Sequence, residues 1–294
     1  MFGPNTHITS KLSLNYSHRD AEFFNLYREV DALLKSTFDL DDYHILFIPG
    51  SGTVGIEAVI RSCSKIIELI GNEGKFKSRW KELVDVYLSS RSETIEMFCQ
   101  LETSNSNIFT KEGCIVDAIS SFPFYDLPDN TKIFITCSNK LLGSYPGLSI
   151  VGVHKDHTDL LANDSKFSYL SLSNYLSYSY KHQLPTTAPI HLFKHLKKTL
   201  QDFDLESLRS KIVQNSSKLV NVLGTDKIVG EKTCPVITVN KSSIPNDIAT
   251  KFQLYGINSD SLYYQIFTYS TSTNVYNEFI QELKNYYKNE KIIL

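Results

Sequence analysis

One stretch of this chain leaves little freedom in the fold it can adopt. The apolar run from Tyr43 to Ile48 reads as a buried strand, and Pro49 to Thr53 (PGSGT) reads as a tight turn. Then Ile56, Val59, Ile60, Cys63, Ile66, Ile67 and Ile70 recur at helical spacing on one face, predicting a helix that runs on to Ile70. A strand that turns straight into an amphipathic helix must return its chain to the same sheet, and repeated units of this kind build parallel sheets covered by helices. Further strands are predicted near 94–99, 114–118, 132–137 and 148–153. Further helices are predicted over 20–37, with Phe24, Tyr27, Val30 and Leu34 as the apolar stripe, and over 76–88. The expected fold is α/β, a mostly parallel sheet flanked by helices.

After about residue 185 the texture changes. Two helices (190–203 and 205–223) precede a strand at 235–240, a helix at 245–254, a strand at 262–269 and a final helix at 274–288. This predicts a large domain over residues 1–200 and a small α+β domain over 201–294, with the N-terminal segment available to pack on the small one. The Ser/Tyr-rich stretch from Ser165 to Lys181 carries enough aromatic residues to be ordered. Net charge is −2, so no broad basic surface is implied and, a local patch aside, nucleic acid is not an expected partner. The five cysteines form no CxxC and read as reduced thiols of a cytoplasmic protein. The N-terminus lacks an apolar signal core, and no run nears the roughly 18–20 apolar residues of a membrane span.

The chemistry-bearing residues gather at the ends of predicted strands. The strand ending at Cys137 runs through Ser138-Asn139 into Lys140, and a Gly/Pro-containing turn leads to Gly147. Lysine seldom ends a buried strand unless its amine has a use. Beside a cofactor aldehyde, that amine can form a Schiff base. Asp117 closes another apolar strand, 23 residues before Lys140; alone, such an aspartate is more often a cap or turn residue. Gly50 to Gly55 matches GxGxxG, so a dinucleotide site competes. That reading wants a second strand ending in an acidic residue about twenty positions on, and a helix continuing to Ile70 leaves no strand there. No Walker-type lysine follows the turn. Under either reading, amides at a helix N-terminus with the Ser51 and Thr53 hydroxyls suit a phosphate; the plain alternative is an ordinary strand-to-helix turn. In a parallel sheet the strand ends share one edge, so Lys140, Asp117 and this turn are expected together. Pyridoxal phosphate requires that set: an amine, a carboxylate at the ring nitrogen and an anion site. His191 with His195, and His154 with His157, sit at helical spacings, but no third ligand is placed and no metal is expected.

Eight segments in one order resemble the class V, fold-type-I pyridoxal-phosphate-dependent aminotransferases, most of all the 2-aminoethylphosphonate–pyruvate and alanine–glyoxylate enzymes. They are Gly3-Pro4, Ser17 to Phe23 (SHRDAEF), Gly50 to Thr53 (GSGT), Gly74 to Trp80 (GKFKSRW), Glu102-Thr103-Ser104, Val116 to Phe122 (VDAISSF), Ser138-Asn139-Lys140 with Pro146-Gly147, and Leu184 to Pro189 (LPTTAP). The resemblance implies that Lys140 holds the cofactor as a Schiff base and then moves the substrate proton, and that Asp117 pairs with the ring nitrogen. It implies that Ser51, Gly52 and Thr53 bind the phosphate, helped by Thr187 from the partner of a homodimer. Phe76 would stack on the ring, Thr103 or Ser104 would contact its phenolic oxygen, and Ser138 would lie in the same site. The implied substrates are a small amine donor and a keto or aldehyde acceptor.

Three departures from the family stand out. A strand–helix unit is trimmed between Arg79 and Glu102. The Glu102-Thr103-Ser104 loop continues to Asn105-Ser106 rather than to glycine. The arginine that would grip a substrate carboxylate is replaced by Gln265, leaving Arg19, Arg79 or Lys75 as substitute cations. A decarboxylase or lyase acting on a substrate without that clamp is therefore the alternative to transamination.

Overall fold

The computed structural model describes residues 16–87, 91–162 and 168–293, with side chains as far as residue 289; Gly3-Pro4 and Ser165 lie outside them. In chain order the elements are α1 (Ala21–Phe38), β1 (Tyr43–Pro49), α2 (Gly52–Ser62), β2 (Ile66–Leu69), α3 (Lys75–Tyr87), β3 (Thr94–Cys99), β4 (Leu101–Glu102), β5 (Asn107–Ile108), β6 (Ile115–Asp117), β7 (Ile133–Cys137) and β8 (Leu148–His154). They continue as α4 (Leu172–Ser179), α5 (Ile190–Gln201), α6 (Leu205–Leu223), β9 (Ile228–Val229), β10 (Val236–Asn240), α7 (Asn246–Lys251), β11 (Tyr263–Phe267) and α8 (Thr273–Ile293).

The chain divides into two compact units. The larger holds a six-stranded sheet in the order β1-β8-β7-β6-β3-β2. Strands β7, β6, β3 and β2 run parallel. β8 is antiparallel to both of its neighbours, β1 and β7, so β1 points the same way as the other four. The ends of β1, β6 and β7 therefore share one edge: Pro49 pairs with Leu148, Cys137 with Ser149, and Ile135 with Asp117. Strand β7 is buried along its whole length, as expected of a strand covered on both faces. The buried stripe of α1 is Phe23, Leu26, Tyr27, Val30 and Leu34, with Phe24 only half-buried. Its Phe23 and Tyr27 rings meet Phe193 of α5 at centroid distances of 5.2 and 5.8 Å.

The helix expected to reach Ile70 stops at Ser62, and Ile66–Leu69 forms β2 instead. Cys63 takes extended backbone angles (φ −66°, ψ 132°), and the β-branched pair Ile66-Ile67 then pairs with Thr94-Ile95. The strand that a dinucleotide site wants is thus present, yet that reading still fails. Its first two strands must be neighbours, whereas β1 and β2 lie at opposite edges of this sheet.

The smaller unit comprises Leu101–Ile108 and the chain from Asp204 onward. Its three-stranded sheet runs β11-β10-β9, and β4 and β5 form a hairpin. Ser106 secures that hairpin: its Oγ donates to the Val236 carbonyl (2.6 Å) and meets Thr238 Oγ1 at 2.7 Å.

Candidate active site

Three loops leave the shared edge of the large sheet. The first is the turn between β1 and α2. Gly50 has φ +147°, a region in which a side chain is strained. Ser51 takes the N-cap position of α2, but its hydroxyl makes no capping bond and is exposed. The Val54 amide donates to the Ser51 carbonyl (2.9 Å); the first amides of a helix have no partner within it and suit an anion. A Cβ built on Gly52 would lie 2.7 Å from Ile119 Cδ1, so a side chain there would intrude on the next loop.

That second loop follows β6. Asp117 is 4% exposed, and its Oδ1 accepts the Ile119 amide at 2.9 Å. The third loop carries half-buried Lys140. It is tied to the first because the Gly50 amide donates to the Gly147 carbonyl (2.8 Å). Buried Ser138 donates through Oγ to the Tyr145 carbonyl (2.6 Å), so its hydroxyl shapes this loop. The buried Cys137 thiol senses both charged residues: its pKa is raised to about 11, chiefly by burial and slightly by Asp117, against the lowering pull of the Lys140 ammonium and the Asn139 and Lys140 amides.

The other predicted residues are more scattered. Thr187 is exposed, ahead of α5. Phe76, on the first turn of α3, is 36% exposed and tilts against Trp80 at a centroid distance of 6.1 Å. Arg19 is exposed in the turn before α1, where its amide donates to Ser17 Oγ (3.2 Å). Thr103, Ser104 and Gln265 belong to the smaller unit. Ser104 donates through both its amide and its hydroxyl to Glu102 Oε1, at 3.0 and 2.7 Å. The Thr103 carbonyl accepts from Thr238 Oγ1 (3.2 Å). Gln265 is buried in β11, opposite Thr238. Sequence reasoning assigned no part to Ile119 and Ser144, although both lie within the segments it singled out. His191 and His195, one helical turn apart in the sequence, have different surroundings: His191 is exposed, while His195 is buried against Ser144. Among the described residues no three His, Cys, Asp or Glu side chains gather as metal ligands, and no helix is long and apolar enough to cross a membrane.

A half-buried amine, a buried carboxylate and a glycine-lined helix start, on three loops at one sheet edge, fit pyridoxal phosphate. The fold matches solved aminotransferases. Phosphoserine aminotransferase of Cytophaga hutchinsonii superposes at a TM-score of 0.78, covering 92% of this chain and 90% of its own at 18% identity. Alanine–glyoxylate aminotransferase of Nostoc sp. gives 0.74, with 93% and 89% covered at 18% identity. A phosphoserine aminotransferase studied for radiation damage of its Schiff base gives 0.72, with 92% and 89% covered at 13% identity. At such identities the likeness is one of fold. Among curated proteins, the small subunit of a soluble hydrogenase from Synechococcus sp. (strain PCC 6716) is 26% identical over 248 residues, 69% of this chain. The match spans 64% of that protein's length, slightly under two-thirds. No family model matches the chain.

Proposed function

We propose that this chain is a pyridoxal-phosphate-dependent aminotransferase of class V type, passing an amino group from a small amine donor to a keto or aldehyde acceptor. The observation that carries this is that the strands leading to Lys140, Asp117 and the Gly50–Thr53 turn end at one edge of the sheet, in an aminotransferase-like fold. The bound cofactor would supply an electron sink. Lys140 Nζ would take the aldehyde and afterwards carry the proton at the substrate carbon. Asp117 would hold the ring-nitrogen proton. The Ser51 and Thr53 hydroxyls and the Gly52 amide would hold the phosphate. Phe76, Thr103 and Ser104 are proposed ring contacts.

The protein is proposed to be a cytoplasmic homodimer in which Thr187 completes the partner's phosphate site; a stable monomer that holds the cofactor tightly would contradict this. Gln265 in place of an arginine supports a donor not gripped as a simple carboxylate, with Arg19 as a substitute cation. The same substitution keeps the decarboxylase or lyase reading as the alternative. Mixing the loaded protein with a panel of amines separates the two. Transamination leaves the cofactor in its pyridoxamine form in stoichiometric amount, and an acceptor restores the original spectrum. A donor that releases carbon dioxide while the spectrum returns unaided would overturn the aminotransferase reading.

A further inference from the structure

Lys140 rides on a short arc that the chain closes at its base. The Ser144 amide donates to the Ser138 carbonyl (2.8 Å), and the Gly143 amide to the Lys140 carbonyl (3.0 Å). Ser144 also ties this base to α5. Its Oγ lies 2.9 Å from His195 Nδ1, and the Tyr145 ring packs on the imidazole at a centroid distance of 4.1 Å. Thr199, one turn further along α5, donates to the His195 carbonyl (3.0 Å) and brings the same Oγ1 to 3.2 Å from Nδ1. On the same helix, Leu192 fills the space where Gly147 would carry a Cβ (2.7 Å to Cδ1). One stretch of α5 thus holds both the base of the arc and the glycine that accepts the phosphate-turn amide.

A buried serine–histidine pair also invites a nucleophile-and-base reading. Ser144 is 1% exposed and His195 8% exposed, and Nδ1 is shared between two hydroxyls, so a reacting carbonyl has no approach. The contact is instead an anchor made away from water, where losing the imidazole takes from the Ser144 hydroxyl its partner on α5.

Resting on the reading of Lys140 as the cofactor lysine, we propose that His195 is a positioning residue: through Ser144 it fixes the arc that carries Lys140 and so sets the reach of the amine. Three full-length variants test this. His195→Leu removes the hydrogen bond but keeps much of the volume. His195→Asn retains a polar atom near the place of Nδ1. Ser144→Ala removes the hydroxyl alone. Two readouts apply: amide hydrogen exchange over residues 139–147 in cofactor-free protein, and the affinity for added pyridoxal phosphate, followed by absorbance. The proposal expects exchange about tenfold faster and binding about tenfold weaker in His195→Leu and Ser144→Ala, with His195→Asn near the parent. Parent-like exchange and binding in those two variants would overturn it, as would equal losses in all three without a change confined to 139–147. A parent that binds no pyridoxal phosphate overturns the reading of Lys140 and the reach assigned to His195, while exchange still decides whether His195 holds the arc.

Discussion

At the end of β6, the Asp117 carboxylate is enclosed and already oriented by the Ile119 amide (2.9 Å). A carboxylate placed this way can accept a charge-assisted bond from a protonated ring nitrogen, worth about 1.5–3 kcal/mol. Asp117→Asn keeps the shape and removes the charge. Steady-state kcat should therefore fall about ten- to a hundredfold with the fold intact; an unchanged kcat in a loaded enzyme would remove Asp117 from the chemistry. The proposal for Lys140 and Asp117 was drawn from the sequence because a lysine and an aspartate follow two apolar strands near a glycine turn, a combination that carries more than either residue alone, since a lone aspartate there is more often a cap or turn residue. The pairing of Ser144 with His195 could not be, because 51 residues separate them and only the folded loop brings hydroxyl and imidazole together.

The α2–β2 junction marks where local pattern misleads. Ile66, Ile67 and Ile70 fit the helical period of the residues before them, yet pairing with β3 draws Ile66–Leu69 into the sheet. Tertiary pairing overrides periodicity for short β-branched runs. The antiparallel course of β8 was likewise invisible, since an apolar strand carries no mark of its direction. The placement of Leu101–Ile108 in the smaller unit depends on Ser106 reaching Val236 and Thr238, contacts more than a hundred residues away in sequence. Close packing of α2 on the sheet makes a prediction at this scale. A Cβ on Gly55 would lie 2.0 Å from Ser149 Oγ and 3.0 Å from Ile135 Cγ2. Gly55→Ala should destabilise by about 1–3 kcal/mol, read as a lower urea midpoint; an unshifted midpoint would mean that α2 does not press on the sheet this closely.

For the whole molecule, buried thiols set a response to alkali. Burial raises Cys137 from 9.0 to about 11 and Cys234 from 9.0 to about 12. Below about pH 9 both thiols are neutral in the folded and the unfolded chain, so they leave stability unchanged with pH. Above it the unfolded chain ionises first, and each thiol costs about 1.4 kcal/mol per pH unit until its folded value is reached. Urea midpoints should drop between about pH 9 and 11, and the drop should shrink in a Cys137→Ser, Cys234→Ser double variant; an equally steep loss there would assign it to other groups. The central claim, that Lys140 is the residue that takes the cofactor, meets its most direct test in borohydride reduction after pyridoxal phosphate is added, with peptide mapping by mass spectrometry. A single pyridoxyl adduct on Lys140, lost in Lys140→Ala, is the predicted result. No adduct, or one spread over surface lysines and unchanged in Lys140→Ala, would contradict the account.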